Sequence, residues 1–591
     1  MQTALRADGW TRVDGVAVRG RAFDGEALLE GTALASRFAD ARGAEPTLDS
    51  VASVAADLEG FFAAVVRGPD ATYLVADGAR SIPLYCDSGG TIVADRGRVV
   101  RDALEAEPDP VAESEFLLAR YVTGPETIWA GVRAIQPGEI VRIGTEGITR
   151  RTYRDYWPAG PADRRTGSSL TPSDRPRARL ESAFERALDR LERVAGDRPV
   201  VVPLSGGYDS RLLASTLVER DRDVIGFTFG RSGHPDVEAS REVADRLGIR
   251  WEFCDYDGET WREWYRGPAG LEYRRRAFGG DALPFLAEWP AVRQLVAEGR
   301  LPADALYCPG HTVATPSERL PRFAPEGERD ASTTANVGCG PAVDADEDAD
   351  DRATIEPSLE SLVDYVLERH YALWDWNDEA FERAARERIR RGLLGGRDPD
   401  AATDPAGAAA AYERWEWRGR MATFTNGDCR VYEDAGLEWW LPLWDPAYVR
   451  AWKRVPLERR RGKGLHADLA VEHYRRAADV PRERAGLTDR TLSPIDRHLA
   501  LVRHAPARQF TERDGGWEPP FLAPRSSWSE PGNHPLSWYA IVDDGLFDRL
   551  PPFRNLYALR TLAATDRLDV ADPTGPIPDD STLELPTQDC D

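Results

Sequence analysis

Six consecutive residues, Ser205-Gly206-Gly207-Tyr208-Asp209-Ser210, combine the parts of an anion cradle. Adjacent glycines let backbone amides approach a negative group closely. Ser205 and Ser210 add hydroxyl donors for phosphate oxygens. A bare polyphosphate would repel Asp209, so the natural task of that carboxylate is to hold Mg²⁺ against the phosphates. No Gly-Lys-Ser/Thr follows, which separates the segment from the Walker loop.

The flanking pattern decides whether such a loop can work. Pro199-Val-Val-Val-Pro-Leu204 reads as a buried strand and Arg211–Glu219 as a helix with Leu212, Leu213 and Leu217 inward. The loop therefore runs from the carboxyl end of a strand to the amino end of a helix, where free amides face an anion. Val224–Phe229 is a second strand, Val237, Val243 and Leu247 mark a helix, and Trp251–Cys254 is a third strand. Strand and helix alternate as in an α/β fold with a doubly wound parallel sheet, which binds ligands at its carboxyl edge. Upstream, Leu180, Phe184, Leu188 and Leu191 predict a helix behind Ser173-Asp174, with Pro176 in its first turn. Further upstream the period shortens. Gly60–Val66, Thr72–Ala76, Thr91–Ala94 and Glu139–Ile143 predict the strands of an α+β domain.

The 591 residues carry 76 basic and 100 acidic side chains, a net charge of −24. That surface repels phosphate backbones and anionic lipid, so neither nucleic acid nor membrane is an expected partner. Only Lys453 and Lys463 are lysines. Adaptation to high salt accounts for acidity with so little lysine; the codons of a GC-rich genome account for the lysine deficit but less easily for the acid excess. Six scattered cysteines show no metal or disulfide spacing and read as buried hydrophobes in a reducing compartment. No apolar leader and no run of about 18 apolar residues occurs, so a cytoplasmic protein is expected.

Leu204-Ser-Gly-Gly-Tyr-Asp-Ser210 resembles the pyrophosphate loop (PP-loop) of ATP pyrophosphatases, and more specifically that of asparagine synthetases. Gly226-Phe-Thr-Phe-Gly230 and His234-Pro-Asp-Val-Glu-Ala239 follow at similar spacing. Leu58-Glu-Gly-Phe-Phe-Ala63, Asp77-Gly-Ala-Arg-Ser-Ile-Pro-Leu-Tyr85, Thr127-Ile-Trp129 and Ile135-Gln-Pro-Gly138 resemble the second half of that family's amidotransferase domain. Gly436-Leu-Glu-Trp-Trp-Leu-Pro-Leu-Trp-Asp445 with Val455-Pro456 resembles its helical signature. The resemblance implies ATP and Mg²⁺ as cofactors, with Ser205 to Ser210 and Gly310 lining the nucleotide site. It implies Asp209 as metal ligand, and Leu204 and Phe229 as backbone contacts of the adenine.

Three departures from the family pattern stand out. Gln2 follows Met1 where the family exposes a nucleophilic cysteine, so glutamine hydrolysis is not expected unless the start is mis-assigned. In Leu306–Thr315 only Gly310 persists; His311 replaces a catalytic Glu and Ala314 a metal-binding Asp. His311 reads equally as a neutral base near pH 7 or as a structural residue. The family's late lysine has its closest cationic substitute in Arg490. Arg490 and Lys463 read equally as solvated surface charges.

The expected organisation is a truncated Ntn-like α+β amidotransferase domain over 1–157, a linker over 158–176, an ATP-binding domain with a helical end over 177–560, and an acidic tail over 561–591. Stretches 341–352 and 395–407 read as further joints. The expected function is an AMP-forming ligase that adenylates aspartate or a related carboxylate for attack by ammonia or an amine, with a homodimer admitted as its assembly. A cyclase resembling β-lactam synthetases and an ATP-binding regulator without ligase chemistry are the alternatives.

Overall fold

The computed structural model describes residues 1–42, 46–158, 176–230, 232, 235–256, 258–324, 354–373, 376, 378–481 and 556–563. The amino-terminal part is built on an antiparallel sheet. Its strands are β1 (Val16–Asp24), β2 (Leu58–Arg67), β3 (Ala71–Ala76), β4 (Glu139–Gly144) and β5 (Gly147–Thr152), in the order β5-β4-β3-β2-β1, with short strands Thr11–Val13 and Ala27–Glu30 beside β1. Val16↔Val66 to Asp24↔Leu58 pair along the whole of β1. Helices α1 (Gly31–Arg42) and α2 (Leu48–Asp57) cover one face; a capping box between Thr47 and Ser50 starts the second. A smaller sheet aligns Gln2–Ala4, Ile92–Ala94, Tyr85–Asp87 and Val132–Ala134.

The long helix α3 (Pro176–Ala195) begins at the expected proline and buries Leu180, Phe184, Leu188 and Leu191. A parallel sheet follows, made of β6 (Val200–Pro203), β7 (Val224–Gly230), β8 (Arg250–Asp255), β9 (Leu306–Tyr307) and β10 (Glu438–Trp439). Helix α4 (Tyr208–Glu219) follows β6 and α5 (Pro235–Leu247) follows β7. Three consecutive valines on β6 are fully buried, as a strand covered on both faces requires.

Strand order is β8-β7-β6-β9-β10, with Val200 paired to Val224 on one side and Leu306 on the other. The chain runs outward from β6 through β7 to β8, then crosses to β9 on the opposite side. The reversal point lies between β6 and β9, and open α/β sheets bind ligands beyond the carboxyl ends of strands at such a point. The loops after β6 and β9 are therefore the ones that matter.

Helix α6 (Pro405–Glu416) and α7 (Cys429–Asp434) are joined by π-helical turns, Trp417–Phe424, and a 3₁₀ turn, Thr425–Asp428. Helix α8 (Gly464–Ala477) packs along α4. The 395–407 stretch is an ordered connection. Gly395 ends the preceding helix in the left-handed region, and Asp404 caps α6 through the amides of Ala406 and Gly407. A last helix, Leu556–Ala563, runs past the expected boundary at 560 and buries Tyr557, Ala558 and Leu562 in the core. The remainder of the tail, most of the 158–176 linker and all of 341–352 lie outside the described residues. Among the described residues no helix is long and apolar enough to cross a membrane.

Candidate functional site

Gly207 is the N-cap of α4 and provides no side-chain cap for its first turn. The loop is held from within. Ser210 Oγ accepts from Ser205 N (3.1 Å) and lies 3.1 Å from Ser205 Oγ, which in turn accepts from Gly207 N (3.1 Å). A β-carbon on Gly206 would sit 2.7 Å from that of Ala239, so α5 packs directly on the loop. Leu204 is buried, and both backbone groups are engaged: its N–H donates to Phe227 O (2.7 Å) and its carbonyl accepts from Thr228 Oγ1 (2.5 Å). Only the second lone pair of that carbonyl remains for an adenine. Phe229 lies near the end of β7 with its ring 5.7 Å from that of Tyr256.

The loop after β9 approaches from the other side of the reversal point. A β-carbon on Gly310 would lie 2.7 Å from Ser210 N, which explains the glycine and sets His311 beside the cradle. His311 Nδ1 is 3.1 Å from Asp428 Oδ2, without the alignment of a hydrogen bond. Phe285 lies against the His311 ring at 6.0 Å. Burial alone would lower the pKa of His311; the charge of Asp428, assisted by Glu288 and Asp209, more than reverses this and raises it. His311 therefore keeps its proton to higher pH than an ordinary imidazole. Behind Asp428, Glu288 accepts a 2.5 Å bond from Tyr432 Oη. Burial and the nearby Asp428 push the pKa of Glu288 up to about 8. The π-helical turns after α6 carry Asp428 under His311; π-type distortions are frequent at functional sites.

Asp209 stands in the first turn of α4 and is not an open ligand. Its carboxylate is 3.1 Å from Lys463 Nζ and 2.7 Å from His466 Nε2, while Lys463 is also 2.9 Å from Glu318. Tyr448 Oη lies 2.7 Å from His466 Nδ1, on the far side of the ring. Burial would raise the pKa of Asp209, but Lys463 and then His466 hold it far below the usual carboxylate range. Among the described residues no group of three or more His, Cys, Asp or Glu side chains could hold a metal ion. The residues around Asp209 therefore fit a cation-neutralised acid and do not fit a protein-built magnesium cage.

Two sequence readings change here. Lys463 is not a solvated surface charge: its side chain is 9% exposed and reaches the loop. Ala314 is buried in the core, and the carboxylate nearest the cradle from this segment belongs to Glu318. Arg490 lies outside the described residues. Asp428, Glu288, Glu318 and His466 went unnoticed in the sequence, where nothing in their spacing ties them to the loop.

The strand order defines a doubly wound parallel α/β sheet with a glycine-bearing loop, Ser205–Ser210, at its reversal point. Residues 179–261, which contain that loop, match the family model described as asparagine synthase. A putative glutamine-hydrolysing asparagine synthetase of Mycobacterium bovis is 26% identical over 181 residues, 29% of this chain and 27% of the relative. Carboxyethyl-arginine beta-lactam-synthase of Streptomyces clavuligerus is 32% identical over 197 residues, 33% of this chain and 35% of that one. A tRNA-specific 2-thiouridylase of Bartonella henselae is 35% identical over 152 residues, 22% and 36% of the two chains. The chain thus spans about a quarter to a third of the length of the curated relatives it matches. A solved glutamine phosphoribosylpyrophosphate amidotransferase from B. subtilis, 13% identical over 53% of this chain and 64% of its own, has a TM-score of 0.18, too low to carry an argument. Over residues 179–261 the chain is similar to the asparagine synthase family.

Proposed function

We propose that this protein is an ATP-dependent, AMP-forming ligase that joins a carboxylate to an amine or ammonia. The observation that carries the reading is the Ser205–Ser210 cradle at the carboxyl end of β6, inside the segment that matches the asparagine synthase family. In this reading the loop is of the PP-loop type, and the amino-terminal sheet is the remnant of an Ntn-like amidotransferase domain.

The substrate carboxylate attacks the α-phosphorus of ATP, and the bond to the leaving pyrophosphate breaks. The amides at the start of α4 and the hydroxyls of Ser205 and Ser210 hold the pyrophosphate. The amine then attacks the acyl carbon and AMP leaves. In its neutral form His311, whose Nδ1 lies 3.1 Å from Asp428, takes the amine proton at Nε2. Mg²⁺ enters only as the counter-ion that ATP brings from solution, and no step runs through Asp209 as its ligand.

The described cysteines argue against a thiol route to ammonia. Cys86, Cys254, Cys308 and Cys429 are buried, and burial pushes the thiols of Cys86 and Cys254 up to about 11. A second substrate reading has one observation in its favour, the likeness to the β-lactam synthase: a carboxylate that closes on an amine of its own molecule.

Pyrophosphate release from ATP across a panel of carboxylates tests the proposal. Wild type should release pyrophosphate only with its carboxylate present. His311→Gln should keep carboxylate-dependent ATP–pyrophosphate exchange and lose about 100-fold in amide formation. Wild-type amide formation should rise with pH through the elevated pKa of His311. No carboxylate-dependent release with any acid would sink the ligase reading and leave an ATP-binding protein without this chemistry.

A further inference from the structure

Cations gather in excess at the seam between the amino-terminal sheet and the helical region. Asp155 lies just past β5, and its carboxylate takes Arg414 Nε at 2.9 Å and Arg397 Nη2 at 2.8 Å. Lys453 Nζ donates to its backbone carbonyl at 2.7 Å. Arg418, in the first of the π-helical turns, is near enough to feel the charge of Asp155, yet its contact with Thr152 Oγ1 is long at 3.4 Å. Glu139, also near Arg418, is already bonded to Arg150 at 2.9 Å. Five cations thus face two carboxylates, in a chain with 100 acidic side chains to place.

Buried pairs elsewhere are matched one to one. In Arg460–Glu413 and Arg80–Asp281 the carboxylate outweighs burial and raises the pKa of the guanidinium. At the seam the balance reverses. Burial first, and then the charge of Arg418, brings Arg414 down to about 10, and burial also lowers the pKa values of Arg418 and Lys453. Among the described residues Arg418 Nε and Nη2 and two N–H groups of Lys453 have no protein acceptor. The seam is open to solvent, since the Asp155 and Arg397 side chains are 22% and 32% exposed. Cations withdrawn from water without a matching charge cost stability unless an anion joins them.

We propose that this seam is an anion site of its own, which binds a phosphate dianion, free or at the end of a phosphomonoester, with Arg418 and Lys453 as donors. Arg397 and Arg414 already match Asp155, and Arg150 matches Glu139. A carboxylate ligand would answer only part of the surplus, whereas a phosphate brings about two charges and three strong acceptor oxygens. The fork of Arg418 can take two of those oxygens and the ammonium of Lys453 the third. The site shares no residue with the Ser205–Ser210 loop and stands whether or not that loop binds ATP.

Calorimetric titration of the full chain at fixed KCl, with inorganic phosphate and with glycerol phosphate, tests this. Phosphate binding that persists in Ser210→Ala, which alters the loop, should weaken about tenfold in Arg418→Gln and in Lys453→Gln, the loss of one charge-assisted hydrogen bond in each. Arg418→Lys should recover part of the loss. Tighter binding of glycerol phosphate than of inorganic phosphate would assign the site to esters, and the reverse to the free ion. Phosphate should also raise the thermal midpoint of wild type more than KCl of equal ionic strength, and Arg418→Gln should lose that difference. Affinity unchanged in both Gln variants, or abolished by Ser210→Ala alone, places the anion at the loop and overturns the proposal. Equal stabilisation by phosphate and KCl overturns it in favour of plain screening. If one Gln variant does not fold, the other decides.

Discussion

Replacing Glu288 by Gln should stabilise the protein, and by an amount that grows with pH. Glu288 is 4% exposed and lies near Asp428, so burial first and like charge second favour its protonated form. In the unfolded chain it ionises near 4.5, whereas in the folded protein it does so near about 8. Between those values the folded state binds the extra proton, so stability falls as pH rises. The cost is about 3 kcal/mol at pH 7 and approaches about 5 kcal/mol above pH 8. Glutamine keeps an oxygen for the Tyr432 hydroxyl, 2.5 Å away in the parent, and cannot ionise. Thermal midpoints of parent and variant, measured from pH 4 to 9, should coincide at the acid end and separate above about pH 5. Parallel curves over that range would refute the reasoning, because they would mean that Glu288 ionises alike in both states.

Glu413 and Arg460 form a fully buried pair at 2.8 Å, and Glu413→Ala should destabilise by about 3–5 kcal/mol because it leaves a buried guanidinium unpaired; chemical denaturation reads this directly, and a loss below about 1 kcal/mol would count against the pairing. With a net charge of −24, the thermal midpoint should climb between low and molar KCl as self-repulsion is screened. A flat midpoint would leave codon usage as the better account of the acidic, lysine-poor composition.

The strand–loop–helix unit at Val200–Glu219 was legible because its information is local. A run of buried valines, two glycines and a leucine-bearing helix name their own elements, and the observed helix begins only three residues earlier than read. The order of strands is not local. Nothing in Leu306-Tyr307 says that it returns to the far side of β6, yet that placement brings His311 to the loop. Lys463 stayed open between a solvated charge and a site cation for a related reason. An arginine-rich run looks solvated, and only the packing of α8 on α4 turns this one cation inward. Asp428 sits 117 residues after His311 and reaches it through a helix whose pitch departs from the ordinary, which periodicity cannot anticipate.

That wide-pitched stretch, Trp417–Phe424, also makes the site sensitive to insertions and deletions. Each residue of a helix turns the chain by about 100° and advances it about 1.5 Å. Loss of a single codon there would let the turns tighten to ordinary α geometry and swing Asp428 away from beneath His311. Both residues would survive in the gene while the pairing vanished. Two descendants of this chain that both keep His311 and Asp428 would therefore differ at this site through one in-frame deletion that touches neither of them.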